Sequence, residues 1–539
     1  MLNRRELLSV LLGSQVAALS GCARKTLPPA GELLAPNFAV GHQIRDAHQW
    51  PAAKSKQKVD TLIVGGGMAG LSAAWRLQKA GVEDFVVLEM DDSVGGTARS
   101  GTNGSFAYPW GAHYVPTPMA DNVAMIGLLS EMGVVESIAE DGSPKIAEQY
   151  LCRDPEERVF FEGEWYHGLY PFAGATDDDK AQLAKFQAQV NDWVTKRDDQ
   201  GRRMFAIPNA SGSTSESVMA LDQESMADWV DRNGFTSERL RWVVDYSCRD
   251  DYGLSIDQTS AWAGMFYFAA RIAKPGDESQ AVITWPEGNG RIVNHLAAVC
   301  GDRVRSNHAV TSIENVDGGV DVNAWNVAQR RAVAFTARRV IFAAPQFLVP
   351  HLIRGLNPER IADAKQFQYG SWVVANLHLS DRPNESKFPM CWDNVIYGSK
   401  SLGYVTSTHP TGLDHGPTVV TWYYPITGSD PRLKRKELLA LGWSDWADVV
   451  MTDLRVPHPD IGDLVTRLDV MQWGHAMVQP RVGFVSGAAR TRAALPFDAI
   501  HFAGTDLSGV ALFEEAFYHG VRAAEEVMQA IGVETSSVL

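Results

Sequence analysis

The stretch that most constrains this chain is a glycine-rich turn between two short apolar runs. Residues 59–64 form the first run and residues 85–88 the second, and each has the length and composition of a buried parallel strand. Between them Gly65, Gly67 and Gly70 fit the spacing G-x-G-x-x-G, and residues with helical periodicity follow. A strand, a glycine turn, a helix and a second strand in this order predict a unit that binds a dinucleotide.

Each part of this fingerprint has a physical task. Gly65 makes the tight turn, Gly67 lets the backbone approach a pyrophosphate, and Gly70 lets the helix pack closely on the strand. The first N–H groups of the helix and its positive dipole end face the phosphates. Glu89, at the end of the second run, can accept hydrogen bonds from a ribose. Dinucleotide contacts are therefore predicted at Gly65, Gly67, Met68, Ala69, Gly70 and Glu89.

Two further segments, far apart in the chain, distinguish FAD from NAD. Arg99 follows a Gly-Gly pair after the second run, and residues 499–531 hold an apolar strand, a turn at Gly504, then Asp506 and an amphipathic helix. Together these segments resemble the flavin-containing amine oxidoreductase superfamily, which includes monoamine and polyamine oxidases, protoporphyrinogen oxidases and phytoene desaturase-like enzymes. The resemblance extends over most of residues 58–532 and implies FAD as the cofactor.

The resemblance also implies where FAD lies. Arg99 would lie near the pyrophosphate, Asp506 on the ribityl hydroxyls, and the C-terminal helix would direct its positive end at the flavin pyrimidine. His113 belongs to a second glycine turn beside the flavin ring, and it either faces the substrate or is a packed or surface histidine. Further flavin contacts are implied at Gly96, Arg99, Gly111, Ala112, His113, Val310, Gly504, Asp506 and Ala511.

The length of the chain, 539 residues, exceeds what one hydrophobic core organises, so two domains are expected. The fingerprint and the resemblance together predict an α/β fold. It has a Rossmann-like FAD-binding domain of the glutathione-reductase type and an inserted mixed α+β substrate domain. The FAD-binding domain is assigned to residues 58–117, 282–350 and 471–535, and the substrate domain to residues 118–281 and 351–470.

The N-terminal end has the features of an export signal, in residues 1–22. A twin-arginine motif precedes an apolar run that is shorter than the ~20 residues of a membrane-spanning helix. The run ends in a sequence that resembles a lipobox, and lipid on Cys22 would anchor the protein to a membrane. Residues 23–57, rich in Pro, Ala, Lys and Gln, are predicted to be a tether. An exported periplasmic lipoprotein is therefore expected.

Charge and cysteine usage exclude some partners. The formal net charge of −15 argues against nucleic acid and suits a cationic substrate. The cysteines after Cys22 are scattered without C-x-x-C spacing, so no metal site is expected, while one or two disulfides are compatible with an oxidising compartment. No cysteine lies in residues 471–483, so FAD is expected to be held non-covalently.

The chain departs from the oxidases of the superfamily at a lysine. Those enzymes carry this lysine, linked through a water to flavin N5, on the strand that corresponds to residues 369–381. Alignment places Asn376 at that position, or Val374 with an offset of two residues. An amide can hold the water, but neither residue supplies the cation that would stabilise superoxide. A dehydrogenase with a quinone or a protein as electron acceptor is therefore favoured over a fast oxidase.

A second departure concerns the aromatic wall of the substrate site. Amine oxidases supply it from the C-terminal helix, where this chain has Leu512. The aromatic run at residues 422–424 could replace it, and equally could be a buried strand. Trp473 and His475 lie in a segment similar to one of protoporphyrinogen-oxidase-like members, and both are expected to reach the flavin face.

Three functions are compatible with these patterns. The first is an amine oxidase-like enzyme that moves hydride from a small amine, such as a polyamine or an amino acid, to flavin N5. The second is a desaturase- or protoporphyrinogen-oxidase-like enzyme that oxidises a C–C bond and passes electrons to an acceptor other than oxygen. The third is a flavoprotein without turnover.

Overall fold

A seven-stranded sheet forms the first half of the molecule, seen in a computed structural model that describes residues 29–385 and 388–539. Its inner strands are parallel and almost wholly buried, because helices cover both faces. The α/β fold with a Rossmann-like cofactor domain is confirmed. The strands lie in the order Val304–Arg305, Phe85–Leu88, Lys56–Val64, Arg331–Phe342, Gly319–Asn326 and His308–Val316, with Ile500–Phe502 paired to Arg331–Phe342.

The fingerprint helix, Met68–Lys79, begins directly after the glycine turn and is buried along most of its length. The C-terminal helix, Phe513–Ile531, packs against it, and Gly520 makes this possible. A Cβ at Gly520 would overlap the Ala69 carbonyl oxygen and the Ser72 hydroxyl. The absence of a side chain at one position therefore brings two helices of the cofactor site together.

An eight-stranded sheet forms the second half. Its longest strands are buried on both faces, between a layer of helices on one side and a large cavity on the other. The order is Leu33–Leu34, Val465–Val478, Tyr369–Leu379, Thr418–Ile426, Tyr404–Thr406, Asp393–Ile396, Glu157–Phe161 and Glu164–His167. Three small pairs complete the strands described, namely Ser100–Thr102 with Ala107–Pro109, Tyr114–Pro116 with Val282–Thr284, and Val135–Ile138 with Pro144–Ile146.

The remaining helices fall into three groups. One group packs into a helical core beside the cavity, and comprises Asp177–Thr195, Glu216–Met219, Met226–Arg232, Glu238–Tyr252 and Ala261–Ala269. A second group lies at the outer face of the eight-stranded sheet, and comprises Pro431–Ala440, Trp443–Leu454 and Ile461–Leu464. The third surrounds the seven-stranded sheet, and comprises Phe38–Arg45, Val123–Glu131, Gly290–Cys300, Val349–Leu352, Pro358–Ala364 and Ala488–Ala493.

The N-terminal segment is folded, which corrects the predicted tether at residues 23–57. Leu33–Leu34 adds a parallel strand to the edge of the eight-stranded sheet, and Phe38–Arg45 is a helix against the seven-stranded half. Val40 and Ile44 are buried there, four residues apart on one helical face. We call residues 30–45 the strap, because they join both halves. Composition suggested a linker, but these apolar residues have enough contact area to order it.

Two further domain predictions meet the structure differently. The boundary predicted at residue 471 is wrong, because it falls inside Val465–Val478, a strand of the eight-stranded sheet. The export signal at residues 1–22, the lipobox cysteine Cys22 and the first part of the predicted tether lie outside the described residues. Across residues 29–385 and 388–539, no helix is long and apolar enough to cross a membrane.

Candidate active site

The glycine turn forms a cradle with space above one residue. Gly65 has a φ of 104°, and a Cβ at Gly70 would overlap the Gly65 carbonyl oxygen, so both positions need glycine for the fold itself. A Cβ at Gly67 would meet no protein atom within 4 Å. The backbone N–H of Gly95 donates to the Gly66 carbonyl at 2.8 Å and holds the second glycine pair beside the turn. Space therefore remains above Gly67, at the start of the helix that contains Met68 and Ala69.

Glu89 lies at the edge of this cradle. Its carboxylate accepts hydrogen bonds from the backbone N–H of Gly66 at 2.7 Å and of Asp91 at 2.8 Å. Burial raises the pKa of Glu89, and these two donors act in the opposite direction. The His308 N–H donates to the Glu89 carbonyl at 2.7 Å, which brings the strand that carries Val310 next to it. The predicted ribose and adenine contacts thus lie side by side.

Arg99 lies on the other side of the cradle. It forms an ion pair with Asp91, and its Nε donates to the Gly96 carbonyl at 3.1 Å. Its guanidinium carbon lies 5.1 Å from the centre of the Trp473 ring. Asp91 also accepts from the backbone N–H of Asn37, in the strap, at 2.8 Å. The strap therefore supports the residue that is expected near a pyrophosphate.

The C-terminal segment supplies a second open glycine. Gly504 has a φ of 139°, and a Cβ there would meet no protein atom within 4 Å. Asp506 follows and accepts from the Gln346 backbone N–H at 2.7 Å and from the Tyr369 hydroxyl at 2.5 Å. Burial raises the pKa of Asp506. Ala511 then precedes the first turn of the C-terminal helix.

The residues present fit a flavin dinucleotide. Two glycines face open space at positions where neither helix nor sheet requires it, and one of them precedes the free N–H groups of a helix, which bind phosphate well. Gly67, Glu89, Arg99 and Asp506 would hold its phosphates and hydroxyls. The predicted cofactor contacts are therefore brought together at one edge of the seven-stranded sheet.

A cavity of about 1000 Å³, open to solvent, continues from this edge into the eight-stranded half. Gly111, Ala112, His113, Ala511 and Trp473 all line it, so the predicted contacts of the flavin ring meet there. Burial lowers the pKa of His113 to about 4, so its imidazole is neutral. Its other walls are mostly aromatic and apolar and include Tyr114, Tyr246, Trp372, Val374, Leu402, Tyr404, Val405, Tyr423, Met477 and Leu512.

Two predicted catalytic residues lie outside this lining. Asn376 is 0% exposed, donates to the Pro109 carbonyl at 3.0 Å and accepts from the Thr421 hydroxyl at 2.7 Å, so its amide holds the sheet together. Val374, one step along the same face of the strand, lines the cavity instead. His475 stacks on Phe347 with ring centres 4.1 Å apart. Both predictions, for Asn376 and His475, are therefore corrected.

The cause of the second correction is local. The pairing between Tyr369–Leu379 and Val465–Val478 shifts just after Trp473, so the alternation of side chains changes at that point. Trp473 keeps the cavity side, where its indole N–H donates to the Trp110 carbonyl at 2.7 Å. His475 is left on the opposite side. A simple alternation along the strand does not anticipate this.

The aromatic run at residues 422–424 divides between the two faces of its strand. Tyr423 lines the cavity, and its hydroxyl donates to the Gly111 carbonyl at 2.8 Å. Trp422 lies on the opposite face, where its indole N–H donates to Asp453 at 2.7 Å. The ring of Tyr423 lies 4.9 Å from that of His113. Tyr423 thus supplies aromatic surface that Leu512 does not.

The sequence reasoning missed the acidic groups of the cavity. Four carboxyl groups and one guanidinium line it, so the fully ionised lining carries a charge of −3. Arg271 donates to Asp251 at 2.8 Å, so the guanidinium is already paired. Burial raises the pKa of Asp250 and of Glu514 to about 7 and that of Asp393 well above its usual value. The five groups are Asp250, Asp251, Arg271, Asp393 and Glu514.

One signal for these acids was present in the sequence. Asp250 follows Tyr246 by four residues on Glu238–Tyr252, so the two share a helical face whose other members are core residues. A carboxylate on an apolar face is costly without a ligand or a partner. Asp393 and Glu514 carry no such signal, because only the tertiary fold directs them into the cavity.

The comparisons with known proteins agree with this geometry. The chain matches the family described as flavin containing amine oxidoreductase over residues 68–528. It is 24% identical to flavin-containing amine oxidase B of Sus scrofa over 54% of this chain and 51% of that protein. It is 39% identical to polyamine oxidase 1 of Zea mays over 48% of each. The chain thus spans about half the length of these two relatives.

Longer matches are more distant. Coproporphyrinogen III oxidase of Mycobacterium tuberculosis is 23% identical over 83% of this chain and 93% of that protein. The solved structure of putrescine oxidase with putrescine bound has a TM-score of 0.65 and 18% identity, over 88% of this chain and 100% of that chain. The chain belongs to the flavin-containing amine oxidoreductase family, and a flavin cofactor follows from that membership.

Proposed function

We propose that this protein is an FAD-dependent oxidoreductase that oxidises a small cationic amine. The observation that carries the proposal is the cavity beside the cofactor cradle, whose charged lining is four carboxyl groups and one paired guanidinium. Aromatic walls and carboxylates together recognise an alkylammonium through cation–π contact and charge. A cavity of this kind is unfavourable for anions.

The chain's own residues would bind, orient and enclose the substrate. Oxidation of an amine to an imine removes a hydride from the carbon and a proton from the nitrogen, and bound FAD supplies the hydride acceptor at N5. Trp372, Tyr423 and Trp473 narrow the cavity beside Gly111, which excludes water and holds the carbon in place. The neutral imidazole of His113 adds an apolar wall and no cation.

A second candidate is oxidation of a C–C bond in a hydrophobic or cyclic substrate. The match to coproporphyrinogen III oxidase over 93% of that protein's length favours it. The cavity opposes it for any substrate that carries carboxylates, because Arg271 is taken by Asp251 and would not pair with them. A flavoprotein without turnover is the third candidate, and the open, acid-lined cavity argues against it.

For the electron acceptor, we propose a quinone or a protein in place of oxygen. Val374 occupies the cavity wall on the strand where the oxidases of the superfamily carry lysine, and it supplies no cation for superoxide. Non-covalent FAD is proposed as well, since none of Cys152, Cys248, Cys300 and Cys391 lines the cavity.

For the location, we propose export by the twin-arginine route and a lipid anchor on Cys22, on the sequence patterns alone. A folded enzyme that binds its cofactor before export suits that route. Incorporation of radiolabelled palmitate, compared between the full chain and Cys22→Ser, would test the anchor. Equal labelling of the two chains would exclude it.

The proposed reaction is tested by anaerobic mixing. The purified yellow holoenzyme would be combined with monoamines, diamines, polyamines and amino acids, and the flavin absorbance followed. Bleaching by amines and not by amino acids or a porphyrinogen is expected, followed by slow recovery in air and fast recovery with a soluble quinone. A flavin that bleaches only with the porphyrinogen would replace this proposal with the second candidate.

A further inference from the structure

The acids of the cavity form two sets. Asp250 lies close enough to Asp393 for its charge to raise the pKa of that carboxyl, and both charges act on Tyr246 and Tyr423. Glu514 belongs to a different place, at the start of the C-terminal helix, where its electrostatic neighbours include Arg271 and Asp251. One set is therefore in the eight-stranded half and the other beside the cofactor half.

Neither set is neutralised by the protein. Within the described residues, Asp250 and Glu514 accept no hydrogen bond from another residue, and Asp393 accepts only from the backbone N–H of Asn394. The two nearest guanidiniums are occupied elsewhere. Arg271 pairs with Asp251 at 2.8 Å, and Arg249 pairs with Asp245 at 2.9 Å and also donates to carbonyl groups of residues 399–401. A fold that retains unpaired buried carboxyls at a cavity wall has a cost in stability without a cationic ligand.

The strand order gives the distance across the cavity. Val374, Tyr423, Val405 and Asp393 lie on four successive strands of the eight-stranded sheet, and all four line the cavity. Three steps between neighbouring strands span roughly 14 Å. Val374 and Tyr423 are at the cofactor end, since Tyr423 donates to the carbonyl of Gly111. Asp393 is therefore the far end of the cavity.

Glu514 lies at a junction. A smaller cavity of about 310 Å³ shares Pro116, Arg271 and Glu514 with the main one and extends to the half-buried Asn122 and Gln280. A cation that moves from this side would meet Glu514 first and the Asp250–Asp393 pair last. The two acidic sets are thus arranged along one path.

We infer that the substrate is a long diamine or polyamine, whose second ammonium is held by Asp250 and Asp393 while the reacting nitrogen lies at the cofactor end. Glu514 is the intermediate site on the path. The inference rests on the proposed function, in that it names the substrate class of the same cavity. A short monoamine would leave the far carboxyls unpaired, so chain length and the second charge together determine specificity.

The test compares octylamine with 1,8-diaminooctane, which differ by one ammonium, in anaerobic reduction of the holoenzyme. The diamine is expected to have an apparent Kd at least tenfold lower. Asp393→Asn should lower this preference to about threefold or less. Asp245→Asn is the matched control, because Asp245 lies on the same helix as Asp250 but outside the cavity, and it should keep the preference.

A second readout does not depend on the reaction. Binding of the non-oxidisable octane-1,8-bis(trimethylammonium) and of octyltrimethylammonium would be measured by calorimetry in the wild type, Asp393→Asn and Asp250→Asn. Both variants should lose the preference for the dication and, without ligand, melt at a higher temperature than the wild type because a buried charge has been removed. Equal affinities for the two ions in the wild type would overturn the inference.

The two proposals can fail separately. If both amines bleach the flavin equally well and Asp393→Asn changes nothing, the diamine site is wrong while amine oxidation stands. If neither amine bleaches the flavin but the dication binds through Asp393, the site stands while the proposed reaction is wrong.

Discussion

The cofactor cradle and the substrate cavity are built on opposite rules. In the cradle, glycines and backbone groups determine the shape, and its acids Glu89 and Asp506 each accept two hydrogen bonds from the protein. In the cavity, side chains from five separate segments determine the chemistry, and Asp250 and Glu514 have no partner. The cradle is complete as a protein structure. The cavity is complete only with a cation in it.

The largest expected effect separates two neighbouring positions of one strand. Asn376→Lys places a charge at a fully buried site that is already hydrogen bonded, and should destabilise the protein by about 4 kcal/mol. Val374→Lys directs its ammonium into the acidic cavity and should fold, with faster reoxidation of the reduced flavin by oxygen. Denaturant melts and stopped-flow reoxidation measure the two. Normal stability of Asn376→Lys would restore Asn376 as a site residue.

The cradle should distinguish its glycines by mechanism. Gly70→Ala overlaps the Gly65 carbonyl, so the fold itself should lose about 3 kcal/mol. Gly67→Ala meets no protein atom, so the apoprotein should melt normally and only flavin affinity should fall, by tenfold or more. Flavin titration of both apoproteins, together with their melting temperatures, checks this. Normal flavin binding by Gly67→Ala would remove the pyrophosphate from its assigned place.

The cavity should respond to pH where the cradle does not. Asp250 and Glu514 have pKa values raised to about 7 by burial, so both ionise as pH rises from 6 to 8. Affinity for a non-oxidisable dication should therefore increase about tenfold over this range. The charged groups that face these two are Asp251, Arg249, Arg271, Glu157 and Asp393.

Stability should follow the opposite trend. A raised pKa in the folded state contributes stability that is fully present below the unfolded value, near 4, and is lost as pH rises through 7. The ligand-free holoenzyme should thus melt at a lower temperature at pH 8 than at pH 6. In Asp250→Asn both pH trends should flatten. A wild-type melting temperature that rises over this range would contradict the assignment.

The smallest effect comes from a glycine with no task in either region. Gly127 is exposed on Val123–Glu131, has ordinary helical geometry, and a Cβ there meets nothing within 4 Å. Gly127→Ala should stabilise the protein by about 0.5 to 1 kcal/mol without a change in flavin affinity. A chemical melt and a flavin titration are sufficient. Any loss of flavin would show that the cradle extends further than described.

The same contrast explains what the sequence could predict. Gly65, Gly67, Gly70 and Glu89 lie in one contiguous unit whose spacing follows from backbone geometry, so both fold and cofactor contacts could be predicted. The cavity acids come from positions more than a hundred residues apart, such as Asp250 and Asp393, and no local pattern joins them. Only the eight-stranded sheet does so.

Two errors have the same origin. Asn376 and Val374 share one face of a strand, and alternation could not tell which of them reaches the cavity and which lies beneath the Pro109 carbonyl. His475 was misplaced by a shift in strand pairing that composition does not reveal. The predicted tether failed because two apolar pairs, Leu33–Leu34 and Val40 with Ile44, were outweighed by the polar residues around them.

The strap also has a consequence for the time course of synthesis. The Glu32 N–H bonds to Asp469, and 437 residues separate the two. At the usual rate of translation the partner strand is made about 20 to 90 seconds after the strap. The strap is thus the first described segment to leave the ribosome and one of the last to become fixed. Its closure marks a finished molecule, which is the state that an export route for folded proteins would require.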